Sequence, residues 1–279
     1  MALLSAFADE VTDDFIGQLE FLNSENVKFI EIRFVNKKNI LDLTSPELCE
    51  VKSMLDAHGI GVSAIGSPIG KISLDAPFQQ HLDKFNHAMD LALYFGTSLI
   101  RIFSYFGPEG KRIDEYRDVV IERMKTKLDR IKNTRIILTI ENSPGTYCDS
   151  TENCVDVMQA LNSPQCRIAY DPGNCIWGNK SRRIHESCWL PMKSYVNHIH
   201  VKDWKVDSEH AGSIPGKGDG QIKELFSDLA NMRYNGFLTL EPHLKYGGQF
   251  GGETGPELFS LAIAATRGLC QEVNLPYEN

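Results

Sequence analysis

Eight short apolar runs alternate with eight amphipathic stretches along this chain, and no other feature constrains its fold so tightly. The runs are Leu3–Phe7, Phe29–Phe34, Gly61–Ser67, Ser98–Phe103, Ile136–Glu141, Arg167–Asp171, Val196–Val201 and Phe237–Glu241. Between them lie the helical patterns Asp13–Glu25, Pro46–His58, Pro77–Phe95, Asp114–Lys132, Thr151–Leu161, Arg183–Tyr195, Gln221–Met232 and Pro256–Glu272. Runs of this length bounded by turn residues read as buried parallel strands, and the amphipathic stretches as helices that cover them. Thr44-Ser45-Pro46-Glu47 and Asp149-Ser150-Thr151-Glu152 carry the capping residues and first-turn proline that start helices. Eight such units with short connections and no linker predict an α/β chain, a (β/α)8 TIM barrel forming one domain over residues 1–279. A doubly wound open sheet would alternate similarly. No G-x-G-x-x-G follows an early strand, however, and Gly216-Lys217-Gly218 follows no strand directly.

Four of the later runs carry, at or next to their last position, residues that bind divalent metal: Glu141, Asp171, His200 and Glu241. Side chains at i and i+2 share one face of a strand. Turning Glu141 inward therefore sends Ile136, Leu138 and Ile140 out under the helices. Asp171 does the same for Ile168 and Tyr170, His200 for Ile199 and Val201, and Glu241 for Leu238 and Leu240. Small or polar residues (Thr139, Ala169, His198 and Thr239) then join the ligands inside. All four ligands fall at the C-terminal strand ends, where barrel enzymes build their sites. Three carboxylates and one imidazole make a hard, oxygen-rich site for a divalent cation. Any one of these acids alone reads equally well as a helix cap or solvated loop residue. Their convergence does not.

The residues next to the four are more ambiguous. His198 reads either as a substrate contact or as a hydrogen-bonded core histidine. Lys202 with Asp203, and His243 with Lys245, read either as solvated charges or as substrate contacts. Arg101 and Arg33 read as barrel ion pairs or as grips on a substrate oxyanion. Lys71, after the Ser67-Pro68-Ile69-Gly70 turn, reads as a lysine able to close over a ligand or, more readily, as an exposed loop lysine. The loops Ser67–Asp75, Ser104–Ile113 and Lys205–Gly220 are expected to frame the substrate pocket.

Composition narrows the function classes. Twenty-nine basic against 37 acidic residues give a net charge of −8, which disfavours nucleic acid and anionic membrane surfaces as partners. Seven cysteines form an odd set without a C-x-x-C pair, the pattern of reduced packing thiols in a cytoplasmic protein. The N-terminus lacks the basic region of a signal peptide, and no apolar run approaches the roughly 18 residues of a membrane span. The expectation is a soluble, cytoplasmic protein.

Taken together, Ile140-Glu141-Asn142, Tyr170-Asp171-Pro172-Gly173-Asn174, His198-Ile199-His200-Val201-Lys202-Asp203, Gly216-Lys217-Gly218-Asp219 and Leu240-Glu241-Pro242 resemble the sugar phosphate isomerase/epimerase family, the xylose isomerase-like TIM barrels. The resemblance spans nearly the whole chain, including Ser5–Glu10. It implies Mn²⁺, Mg²⁺, Co²⁺ or Zn²⁺ on Glu141, Asp171, His200 and Glu241, with Glu141 and Glu241 also exchanging the substrate proton. Asn174 stands where many ketose 3-epimerases of the family have a histidine, and Val206 where they often have an arginine. The implied reaction is isomerisation or epimerisation of a sugar derivative through an enediolate that the cation stabilises. Asn174, Lys202, Arg101, His198 and His243 are the expected substrate contacts. A lyase, a dehydratase or a 3-keto-glycoside cleaving enzyme would use the same chemistry, and a non-catalytic sugar-binding barrel would keep only the metal. Endonuclease IV-type DNA repair enzymes resemble this chain too, but they hold three zinc ions with additional histidines that it lacks. The expected partner is a small carbohydrate, with no nucleic acid and no membrane; assembly into a homo-oligomer is left open.

Overall fold

The computed structural model describes residues 1–248 and 251–279. Among them, eight parallel strands follow one another around a closed barrel: β1 (Ala2–Ala6), β2 (Phe29–Ile32), β3 (Gly61–Gly66), β4 (Leu99–Ile102), β5 (Ile137–Glu141), β6 (Cys166–Tyr170), β7 (Val196–Val201) and β8 (Phe237–Leu240). Closure is made by β8 against β1, with Leu3 opposite Phe237 and Ala6 opposite Leu240. The C-terminal Tyr277–Glu278 adds a short strand beside Ala2 and Leu3.

The helices are α1 (Phe15–Ser24), α2 (Ser45–His58), α3 (Phe78–Tyr94), α4 (Arg117–Ile131), α5 (Thr151–Leu161), α6 (Pro172–Asn179), α7 (Ile222–Asn231) and α8 (Pro256–Glu272). Their starts follow local chemistry. Asp14 caps α1 by accepting from the Gly17 amide at 2.8 Å. Thr44 and Glu47 form the reciprocal capping box of α2, and Ser150 caps α5. The strand residues expected to point outward (Ile136, Leu138, Ile140, Ile168, Tyr170, Ile199, Val201, Leu238 and Leu240) all lie in the core between barrel and helices. Burying each such side chain contributes about 1.5–3 kcal/mol. Six of the seven cysteines are buried as packing residues.

Two elements differ from expectation. The helix expected over 183–195 is a wide turn at His185–Trp189, one α-helical turn at Leu190–Met192 and a tight turn at Lys193–Tyr195. Pro191 has no N–H to donate, so a regular ladder cannot run through it. An additional short helix, α6, opens directly after β6. Its signal was Asp171-Pro172, an N-cap followed by a first-turn proline. The Gly173-Asn174 pair, poor for helix, hid that signal.

Candidate active site

The four predicted ligands meet at the C-terminal mouth of the barrel. Glu141 is the last residue of β5, Asp171 and Glu241 follow β6 and β8 directly, and His200 lies within β7. Each offers a ligand atom within 4.8 Å of the other three. His200 Nδ1 lies 3.6 Å from Glu141 Oε2 and 3.7 Å from Glu241 Oε2. That nitrogen is buried and has no hydrogen-bond partner among the described residues. A buried ring nitrogen with nothing to bond, aimed at carboxylate oxygens, fits a divalent ion bound between them. On the other side of the ring, His200 Nε2 faces Glu31 Oε2 at 3.4 Å. A proton on Nε2 leaves the Nδ1 lone pair for a metal, the arrangement by which outer carboxylates orient ligating histidines. Phe7 packs edge-on to the same ring at 5.2 Å.

Backbone clamps hold the acids in place. The Asn142 side chain accepts from the Asp171 amide and donates to the Asp171 carbonyl, both at 2.8 Å, which locks the ends of β5 and β6 together. Asp171 Oδ1 also caps α6 through the Asn174 amide, and Asn174 Nδ2 donates to Glu141 Oε1 at 2.8 Å. Asn174 therefore fixes a ligand as well as lining the cavity.

Each carboxylate ligand has its own cation. Lys202 Nζ lies 2.6 Å from Asp171 Oδ2, Arg101 Nη1 donates to Glu141 Oε2 at 2.9 Å, and Arg33 Nη1 donates to Glu241 Oε1 at 2.7 Å. Burial pushes the Glu241 carboxyl up, but Lys202, His243 and Arg33 outweigh it and hold it well below the ordinary glutamate range. At Glu141 burial is likewise outweighed, by Arg101 and His200. Asp171 goes the other way: burial, with help from Glu141 and Glu241, raises it despite Lys202. Burial lowers His200, while Glu31, Glu141 and Glu241 bring it above the usual histidine value. Burial also lowers His243, and Glu10 and Glu241 bring it to about 9.

A cavity of about 360 Å³ opens over this cluster. Its walls include Glu141, Glu241, Asn174, Lys202, Arg101, Arg33, His243 and Lys71, with Ser143–Gly145, Trp177, Gly248 and Gly251. Several expectations are corrected here. His198 does not reach the cavity: it is fully buried one layer below and bonds Glu31 at 2.7 Å and Thr239 at 3.1 Å. Asp203 is no substrate contact either. It is fully buried and accepts from the amides of Trp204, Gly216, Gly218 and Gly220, each at 2.8 Å, so the glycine segment binds a carboxylate of its own chain. Lys71 is not an exposed loop lysine but part of the cavity wall. Of the three loops expected to frame the pocket, only Ser67–Asp75 contributes, through Lys71. The rest of the frame is Ser143–Gly145, Trp177 of α6 and the hairpin Tyr246–Gly248 with Gly251–Glu253.

Glu10 packs against His243 on this side, a role that its sequence context did not mark. Its carboxylate accepts from the His243 amide and from Thr254 Oγ1, and its carbonyl from the amides of Thr254 and Gly255. His243 sits at φ +50 with its ring 3.2 Å from Glu10 Oε1. A Cβ on Gly252 would lie 2.1 Å from the His243 ring, so only glycine fits there.

Fold and site thus define a (β/α)8 barrel with a carboxylate–histidine cluster able to hold a divalent cation at its C-terminal mouth. The family profile described as xylose isomerase-like TIM barrel matches residues 19–259, and the chain belongs to that family. It is 22% identical to the 2-oxo-tetronate isomerase of Haemophilus influenzae over 210 residues, 69% of this chain and 76% of that protein. Among solved structures, the D-allulose 3-epimerase of a Methylomonas species superposes with a TM-score of 0.75 at 15% identity, covering 97% of this chain and 96% of that one. The probable 3-DHS dehydratase AsbF of Bacillus anthracis superposes with a TM-score of 0.73 at 15% identity, covering 96% and 99%. Proteins similar to this chain thus include an isomerase, an epimerase and a probable dehydratase.

Proposed function

We propose that this chain is a divalent-metal-dependent isomerase or epimerase of a sugar derivative. The observation that carries this reading is a division within the four-residue cluster. Glu141 and Glu241 line the cavity, whereas Asp171 and His200 do not. Asp171 and His200 are placed to hold an ion, and the two glutamates reach both ion and substrate. The bound ion supplies acidity to the C–H beside a carbonyl and charge stabilisation for the oxygens that carry the resulting anion. Glu241, held ionised by Lys202, His243 and Arg33, accepts the carbon proton and returns it to the neighbouring carbon. Glu141 carries the hydroxyl proton between the two substrate oxygens, so the carbonyl moves and no atom is lost. For an epimerisation, Glu141 first takes the proton of the neighbouring hydroxyl and then delivers it to the opposite face of the carbon, while the proton on Glu241 returns to that oxygen. Asn174, Lys202, Arg101 and His243 border the reacting atoms and orient the substrate.

The test is solvent deuterium incorporation into a panel of ketoses and keto acids by the metal-loaded protein. Glu241→Gln should keep its far-ultraviolet dichroism and lose about 10²–10⁴-fold in exchange rate. Wild-type exchange in that variant refutes the proton-transfer role, and a barrel that only binds sugar would exchange nothing.

A second reading, dehydration, is favoured by one contact. Lys202 Nζ stands 3.4 Å from Glu241 Oε2, an ammonium beside the proposed base that can protonate a departing hydroxyl. Dehydration would produce an unsaturated carbonyl with new ultraviolet absorbance. Isomerisation would not.

A further inference from the structure

Four buried cysteines from separate segments lie close enough to feel one another's charge: Cys148 in the turn Tyr147–Asp149, Cys154 in α5, Cys175 in α6 and Cys188 in the wide turn His185–Trp189. Among the described residues no three of them gather within 4.8 Å, so they form pairs rather than a cage for a soft metal. Cys154 donates to the Cys148 carbonyl at 3.4 Å. Cys175 and Cys188 hydrogen-bond thiol to thiol.

The two pairs differ in chemistry. The hydrogen bond with Cys148, together with burial, holds the Cys154 thiol well above its ordinary value. At Cys188 the hydrogen bond from Cys175 outweighs burial and brings the thiol down to about 6. Burial raises Cys175, so the pair sets a thiolate against a protonated thiol. Cys188 also lies one side chain beneath the surface. Asn179 Nδ2 donates to its sulfur at 3.5 Å and the Ser187 hydroxyl lies 3.6 Å from it, and both Asn179 and Ser187 are exposed.

The other sulfur reaches the candidate active site. Cys175 Sγ accepts from Asn142 Nδ2 at 3.3 Å, and the same nitrogen donates to the Asp171 carbonyl at 2.8 Å. The Cys175 amide donates to that carbonyl as well, at 3.3 Å. One thiol therefore touches both its partner thiol and the clamp that fixes Asp171.

We propose that Cys175 and Cys188 are a peroxide-sensitive dithiol whose oxidation to a disulfide loosens the ion site at Asp171. The Cys188 thiolate attacks a peroxide oxygen; an S–O bond forms, the O–O bond breaks and water leaves. Cys175 then attacks the Cys188 sulfur; the S–S bond forms, the S–O bond breaks and the Cys175 proton leaves with the hydroxyl as a second water. Two thiols lose two electrons and hydrogen peroxide gains them. The new bond ties α6 to the wide turn and draws the Cys175 sulfur away from Asn142. Only the effect on the ion rests on the proposed metal-dependent function; the thiol chemistry does not.

The experiment treats the reduced chain with hydrogen peroxide, maps disulfides by peptide mass and measures Mn²⁺ affinity by electron paramagnetic resonance before and after. Trypsin cuts after Lys180, Arg182 and Arg183, so the two cysteines fall in different peptides and their link is read directly. The expected result is a Cys175–Cys188 disulfide and Mn²⁺ binding at least about tenfold weaker, restored by dithiothreitol, the size of effect seen when a support of a metal ligand is lost. Cys188→Ser should bind Mn²⁺ as wild type does and ignore peroxide, while Cys154→Ser should respond like wild type, with both variants checked for wild-type melting. Peroxide treatment that leaves the pair reduced, or that links other cysteines instead, overturns the proposal. So does an equal loss of Mn²⁺ binding in Cys188→Ser, because the oxidised group would then lie elsewhere. A Cys175–Cys188 link with unchanged Mn²⁺ affinity overturns the control of the site. A reduced chain that forms the link but never binds Mn²⁺ supports the dithiol and defeats the metal-dependent reading instead.

Discussion

Glu31 has three partners and no solvent contact. One oxygen accepts from His198 at 2.7 Å and faces His200 at 3.4 Å, and Arg101 approaches the other at 3.7 Å. A proton on His200 Nε2, on the side of Glu31, would leave Nδ1 to the cluster, with His198 as the lower support of Glu31. Glu31→Gln should therefore weaken metal binding about 10–100-fold. Competition against a chelator reads this directly, without any substrate. Unchanged metal affinity would mean that Glu31 serves only the barrel layer. The sequence showed Glu31 beside Arg33 in the second strand but could not show this role, because its two histidine partners lie 167 residues or more further on in β7. His198 illustrates the same limit. Alternation placed it correctly on the inner face, while its depth, and hence its isolation from substrate, depended on the strand's register.

At the scale of elements, α4 carries an unusual group. Lys127 is fully buried and donates to the Tyr105 hydroxyl, and burial with repulsion from Arg123 brings its pKa down to about 7. An unfolded lysine titrates near 10.4, so between those values the unfolded chain binds the extra proton and stability rises with pH. Wild type should gain relative to Lys127→Met between pH 7 and pH 10, on the order of 1 kcal/mol per unit, in denaturant titrations at several pH values. A constant difference across that range would show that the amine stays protonated in the fold. The helix itself was legible from its amphipathic pattern. The burial of Lys127 was not, because it follows from how α4 sits against the Tyr105 loop. The broken helix at His185–Tyr195 and the short α6 show the complementary failure, in which local chemistry at Pro191 and Asp171-Pro172 overrode the repeat.

For the whole molecule, three cations already neutralise three carboxylate ligands, so the barrel should fold without metal. Removing metal with a chelator should leave far-ultraviolet dichroism unchanged. Adding Mg²⁺ or Mn²⁺ at 100 times the dissociation constant should stabilise by about 2.7 kcal/mol, raising the melting temperature by several degrees. Asp171→Asn should flatten that response. A chain that unfolds on chelation would contradict the charge balance described here. Among the described residues no helix is long and apolar enough to cross a membrane. The sequence by itself determined the eightfold repeat, the inner and outer faces of the strands and the identity of four convergent polar side chains. All of these are properties of periodicity, which a chain carries locally. Tertiary structure decided which charges face one another: Arg33 with Glu241, Lys202 with Asp171, Glu10 with His243, and Lys71 beside Arg101. Coulombic pairing depends on separation in space, and closing the barrel brings together residues such as Glu10 and His243, 233 positions apart in the chain.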